Sequence, residues 1–133
     1  MSEEFSTGLT KYEVNKQAIK QNYKPMSTWA LKQEIQEIAV KIKSWVWEYD
    51  NHYFMLLCKQ LSNYTLFNIT ADNFDMKELK EALMDCFVNR GSVYKIAFDK
   101  TYGGFQIWID DGEDLNMYFL FPYDLGVIEI GEE

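Results

Sequence analysis

Four carboxylates fall within five positions of "WIDDGEDLNMYFLF", residues 108–121: Asp110, Asp111, Glu113 and Asp114. Side chains of that type at that density can bind a cation, work as paired catalytic acids, offer negative charge to a basic partner, or simply solvate a turn. A calcium loop of the EF-hand kind needs oxygen ligands at alternate positions, a central glycine and a bidentate Glu at about the twelfth place. Counted from Asp110, Gly112 comes third and Phe121 twelfth, so that pattern fails. A glycosidase needs two carboxyls whose surroundings drive their pKa values apart, beside a sugar-sized cleft. Four acids in one exposed turn repel one another and stay ionised together.

Other reactive side chains are few. His52 is the single histidine, and its position ahead of an apolar run reads as a half-exposed residue at a strand edge. Cys58 and Cys86 lack CxxC spacing and stand among apolar neighbours. Buried free thiols in a reducing compartment are expected, rather than a disulfide or a zinc site. No GxGxxG or GxxxxGK occurs, and "YGGF" at 102–105 is too short to cradle a phosphate. The expectation is a non-enzyme with no catalytic residue, metal or cofactor.

Charge placement says more than any motif. The net charge is −8. Residues 1–62 carry eight Lys against seven acids, or +1, while residues 63–133 carry five basic and fourteen acidic groups, or −9. From Thr101 onward there is no Lys or Arg, against Asp110, Asp111, Glu113, Asp114, Asp124, Glu129, Glu132 and Glu133. A phosphate backbone is repelled by such a segment, so direct nucleic-acid binding through it is excluded. A basic protein is attracted, within a Debye length of ~8–10 Å. Trp108, Tyr118 and Tyr123 lie among these acids and would add contact area. The expected partner-binding set is Asp110, Asp111, Glu113, Asp114, Asp124, Glu129, Trp108 and Tyr123.

The elements that must carry these residues follow from periodicity. At 133 residues the chain fits one domain of ~100–200 residues. Its 47% hydrophobic content is enough for a core. Residues 1–8 and 131–133 are expected to fray. No apolar run approaches the ~20 residues of a membrane span, and "MSEEFSTG" is acidic where a signal peptide is basic. A soluble cytoplasmic protein is expected.

Apolar residues at 9, 12, 14, 18, 19 and 23 give a helix near 9–22, with Lys11, Lys16 and Lys20 opposite and Thr10 as its cap. Pro25 ends it, and Ser27 or Thr28 caps a second helix near 28–48. There Leu31, Ile35, Ile38, Ile42, Trp45 and Tyr49 alternate steps of four and three. That spacing suits a coiled-coil homodimer, or a long helix lying on its own sheet; the extra apolar Trp29, Ala39, Val46 and Trp47 widen the stripe towards the second. A third helix near 74–90 has Asp75 and Glu78 as a capping pair, Met76, Leu79, Leu83 and Phe87 as its buried stripe, and Gly91 as a left-handed C-terminal residue.

Strands are expected near 52–59, 63–69, 92–99, 104–110, 115–121 and 127–130, the first apolar on both faces as if covered on both. The order ααββαβββ(β) makes an α+β domain with an antiparallel sheet of five or six strands. Asp110, Asp111, Glu113 and Asp114 then occupy a hairpin tip.

In acidity, aromatic richness, lack of enzyme motifs and the look of "HYFMLLCKQLSNYTLFNI" and "YFLFPYDLGVIEI", the chain resembles small phage-encoded inhibitors of bacterial defence, the anti-CRISPR class in particular. The resemblance lies in overall character across the whole chain, and the class has no shared fold or motif from which a residue could be transferred. It implies a stoichiometric inhibitor in the host cytoplasm that covers the basic nucleic-acid-binding groove of a defence nuclease by acidic mimicry. A toxin-neutralising immunity protein would share the same features. A structural or self-associating phage protein is the third reading, motivated by the heptad-like helix and the four tryptophans.

Overall fold

The computed structural model describes residues 7–123, with side chains from Val14 onward. The chain is an α+β fold in the expected order. Helix α1 spans Thr7–Asn22 and α2 Thr28–Tyr49; β1 (Tyr53–Cys58) and β2 (Asn63–Asn68) follow, joined by a 3₁₀ turn, Lys59–Leu61. Then come α3 (Met76–Val88), β3 (Ser92–Asp99), β4 (Gly104–Asp110) and β5 (Leu115–Tyr123). The five strands form one antiparallel sheet in the order β2-β1-β5-β4-β3. The expected strand near 127–130, Asp124, Glu129 and the fraying of residues 1–6 and 131–133 lie outside the described residues; Thr7 and Gly8 are helical.

Helices α2 and α3 cover one face of the sheet. Ser27 Oγ accepts the N–H of Ala30 and starts α2; Asp75 Oδ1 accepts the N–H of Glu78 and starts α3. Leu31, Ile35, Ile38, Ile42, Trp45 and Val46 of α2 are buried with Leu79, Leu83 and Phe87 of α3. They meet Phe54, Leu56, Phe105, Ile107, Ile109, Tyr118 and Leu120, the alternate residues of β1, β4 and β5. The heptad-like stripe is therefore used inside the chain, and the reading of a helix on its own sheet is the correct one. Tyr49, which continues the stripe in sequence, is exposed, as are Trp29 and Trp47.

Helix α1 lies on the other face through Ile19, which packs with Trp108 and Leu115 and beside Tyr94 and Met117. Its face differs from the one expected. Val14 and Tyr23 are exposed, Lys16 is half-buried and turned inward, and Thr10 lies inside the helix, which already starts at Thr7. The rest of this face carries Met55, buried, with Tyr53 and Leu57, half-buried, and Tyr64 and Leu66, exposed. Among the described residues the second face of β1 is thus covered at its centre and only half covered towards its ends.

Both turns that flank β4 are built on aspartates. At the β3–β4 turn, Asp99 Oδ1 accepts the N–H groups of Thr101 (2.9 Å) and Tyr102 (3.2 Å), and its Oδ2 accepts the amide of Gln106 at 3.1 Å. Gly104 permits the close pairing that follows, since a Cβ there would stand 2.6 Å from the carbonyl oxygen of Leu120 and from the ring of Phe119. Gly91 serves a different purpose from the expected helix cap. Helix α3 ends at Asn89 in a right-handed conformation, and Gly91 (φ +143°) lies where any Cβ would run into the backbone carbonyl of Asp110. The start of β3 is thereby pressed onto the acidic end of β4.

Candidate functional site: the acidic turn between β4 and β5

Asp110 and Leu115 are the last paired residues of β4 and β5, so Asp111 to Asp114 form the hairpin tip. Asp111 organises it. Its Oδ1 accepts the N–H groups of Glu113 (2.9 Å) and Asp114 (3.0 Å), and its Oδ2 accepts the amide of Asn116 at 3.1 Å. Asn116 is a buried polar side chain, which makes that last bond more valuable than a surface one. The N–H groups of Asp114 and Glu113, and then Asn116, hold the Asp111 carboxyl below the usual aspartate range. Asp110 Oδ1 accepts the N–H of Gly112 at 2.8 Å, with Gly112 at φ +101°.

Asp114 reaches outside the turn. Its Oδ1 accepts the N–H of Leu115 at 2.8 Å, while its Oδ2 pairs with Lys16 Nζ of α1 at 2.9 Å. The hydrogen bond from Lys16 is the main reason its carboxyl is also held low, and Lys20 adds a smaller attraction. The structure thus ties α1 to the acidic tip through residues that periodicity had assigned to the solvent side of the helix. The charge asymmetry of the sequence, +1 in the first half and −9 in the second, was the signal that could have found this pair. Asn116 left no comparable signal.

The aromatic residues expected to join the acids do not surround the tip. Trp108 is only 3% exposed, beneath α1, with its Nε1–H directed to Gln106 at 3.3 Å, so its ring offers a partner no contact area. Tyr118 is buried in the main core. Tyr123 is half-buried at the far end of β5, where it pairs with Tyr53, roughly 26 Å along the strand from the tip at ~3.3 Å per residue. Asp110, Asp111, Glu113 and Asp114 are brought together; Trp108 and Tyr123 are not placed with them.

No family model matches the chain, and no curated protein or solved structure is found to be similar to it.

The remaining reactive groups lie elsewhere. His52 is largely exposed, its Nε2 3.6 Å from Asp50 Oδ1. Cys58 and Cys86 are free thiols, and burial pushes both above the ordinary thiol range. Arg90 lies beside them, donating to the Cys86 carbonyl (2.9 Å), the Cys86 sulfur (3.1 Å) and Thr65 Oγ1 (2.6 Å), with its guanidinium over the Tyr118 ring. Among the described residues no three His, Cys, Asp or Glu side chains converge as metal ligands, and no helix is long and apolar enough to cross a membrane.

Proposed function

We propose that the protein is a non-enzymatic inhibitor that sets its acidic β4–β5 turn into the basic nucleic-acid-binding groove of a target protein. The observation that carries this reading is a surplus of charge. Asp99 makes three such bonds at the β3–β4 turn with no second acid beside it, and Asp111 makes the same three kinds of bond at the β4–β5 turn, where Asp110 and Asp114 add one backbone bond each and Glu113 none. Glu113 is exposed, its carboxylate accepts no hydrogen bond among the described residues, and Asp110 and Asp111 keep carboxylate oxygens with lone pairs to spare. The hydrogen bonds hold the carboxylates of Asp110, Asp111 and Asp114 in place before any partner arrives, which lowers the ordering cost of docking.

Carboxylates so fixed can take the place of phosphates against Lys and Arg side chains. A host defence nuclease is the kind of target that the resemblance to phage-encoded inhibitors suggests, with the host cytoplasm as the site of action. The test uses the wild-type chain as bait in host lysate, beside a variant with Asp110→Asn, Asp111→Asn, Glu113→Gln and Asp114→Asn. The reading expects a basic nucleic-acid-handling protein on the wild-type bait alone, and displacement of a labelled DNA duplex from it by added wild-type chain. Equal capture by both baits, or a complex that leaves the DNA bound, contradicts it.

A further inference from the structure

The two edges of the sheet are finished differently. At the β3 edge the register shifts between Val93 and Lys95, the N–H of Met26 donates to the Val93 carbonyl at 2.7 Å, and Lys95 lies with its Nζ over the Tyr23 ring. A bulge, a charge and a covering segment are the usual means of closing an edge against further strands. Among the described residues β2, the other edge, has none of them. Its sequence NYTLFN contains no charge and no proline, and it pairs with β1 in unbroken register from Asn63 to Asn68.

Hydrogen-bond phase says which groups this edge offers. Ile69 N–H donates to the His52 carbonyl at 2.8 Å, just beyond the Tyr53–Asn68 pair. Bonded and non-bonded pairs alternate in an antiparallel ladder, so the pairs 54–67, 56–65 and 58–63 are the bonded ones. The N–H and C=O groups of Tyr64, Leu66 and Asn68 then point away from β1. The Asn68 carbonyl accepts the Asn73 amide (3.5 Å), and below the strand the Ser62 N–H is used on the Lys59 carbonyl (3.2 Å). Tyr64 and Leu66 remain, 59% and 43% exposed, with side chains on the face that α1 leaves partly open.

Two outward residues separated by one make a self-complementary edge. We infer that β2 pairs antiparallel with β2 of a second copy of this chain, about a two-fold axis through Thr65. Each Tyr64 lies opposite the partner's Leu66 in a bonded pair, each pair exchanges two backbone bonds, and Thr65 meets its own copy in the non-bonded pair between them. The two sheets become one, with Tyr64 and Leu66 packed across the seam on the same face. Centring the axis on Leu66 would need the Asn68 carbonyl, which is already used. Centring it on Tyr64 would need Ser62, which is in a left-handed turn (φ 53°). The seam lies away from the acidic turn and does not depend on it.

Sedimentation velocity over a concentration series tests this directly. The wild type should shift reversibly from monomer to dimer, and added salt should strengthen the dimer, because each copy carries −8. Leu66→Pro removes an N–H that β1 does not use, so the variant should keep its far-UV spectrum and stay monomeric. Leu66→Lys should weaken the dimer in the same way while leaving the backbone intact. Thr65→Cys places two thiols across a non-bonded pair, ~4.5 Å between Cα atoms, within disulfide range. Oxidation with diamide, which takes up the two electrons and two protons, should then give a covalent dimer that wild type, with only Cys58 and Cys86, does not form. A wild type that stays monomeric at millimolar concentration, a Leu66→Lys variant that dimerises like wild type, or a Thr65→Cys chain that does not cross-link overturns the inference. A foreign strand captured at this edge by a chain that never self-associates overturns it too.

Discussion

The two turns at the ends of β4 are made the same way and charged differently. Asp99 and Asp111 each accept two backbone N–H groups on Oδ1 and a side-chain amide on Oδ2, from Gln106 and Asn116 respectively. The first turn does this among Lys100, Thr101 and Tyr102; the second adds Asp110, Glu113 and Asp114 around the same core. Asp114 is partly neutralised by Lys16. One aspartate makes the shared set of bonds in each turn, while in the second Asp110 adds a bond to the Gly112 N–H and Asp114 an ion pair with α1, so this turn gathers more charge than the shared geometry requires, against its self-repulsion.

The largest expected effect removes both turns together. Ile38→Ala and Leu83→Ala, each at a fully buried position beneath the sheet, should cost roughly 2–5 kcal/mol through lost transfer energy and a residual cavity. Chemical denaturation reads this, and a wild-type midpoint for both would mean the helices do not support the strands that carry the turns. Next come the organising aspartates. Asp111→Ala should lower the midpoint more than Asp99→Ala, because it strands the buried Asn116 amide whereas Gln106 is half-buried. The reverse ranking would break the parallel between the turns.

Acid pH should act on the second turn specifically. The Asp111 and Asp114 carboxyls are held below their ordinary value of 3.8 in the folded chain, so their contribution is complete above that value and is lost as pH falls through the lower folded values. Denaturation followed from neutral pH down to acid should show a shallower loss of stability in Asp111→Asn and Asp114→Asn than in wild type over that range. Parallel curves would show that the two carboxyls titrate alike in folded and unfolded chains. The smallest effect belongs to Glu113→Gln, which should leave the denaturation midpoint unchanged; a clear fall would give Glu113 a structural role in the turn.

Most of the fold was legible because local signals agreed. The stripe of α2, the Ser27 and Asp75 caps and the strict bounds of β3 and β4 each follow from side-chain type and period. Helix α1 was harder to orient. Its apolar residues are few, and beside the packing of Ile19 it is held by an ion pair across 98 positions of sequence, which no periodicity reports. The acidic tip was placed by the turn residues alone. Burial of Trp108 depends on α1 crossing the second face, and that again is a tertiary fact. Likewise the difference between the two sheet edges needs the strand order β2-β1-β5-β4-β3, in which the outer strands are separated by 23 residues of chain from Ile69 to Gly91.

The proposed service of the clustered acids to a basic partner is tested most directly by the association rate of the captured partner with wild type and with the Asp110→Asn, Asp111→Asn, Glu113→Gln, Asp114→Asn variant, across a series of salt concentrations. The variant keeps the size of the turn and oxygen acceptors for its N–H groups, and an amide flip of Asn116 can restore its bond to position 111. Wild type should associate fast at low salt and slow steeply as salt rises, and the variant should be slow throughout with a flat dependence. Identical rates and identical salt slopes for the two chains would contradict the claim and reduce the four acids to a solvated turn.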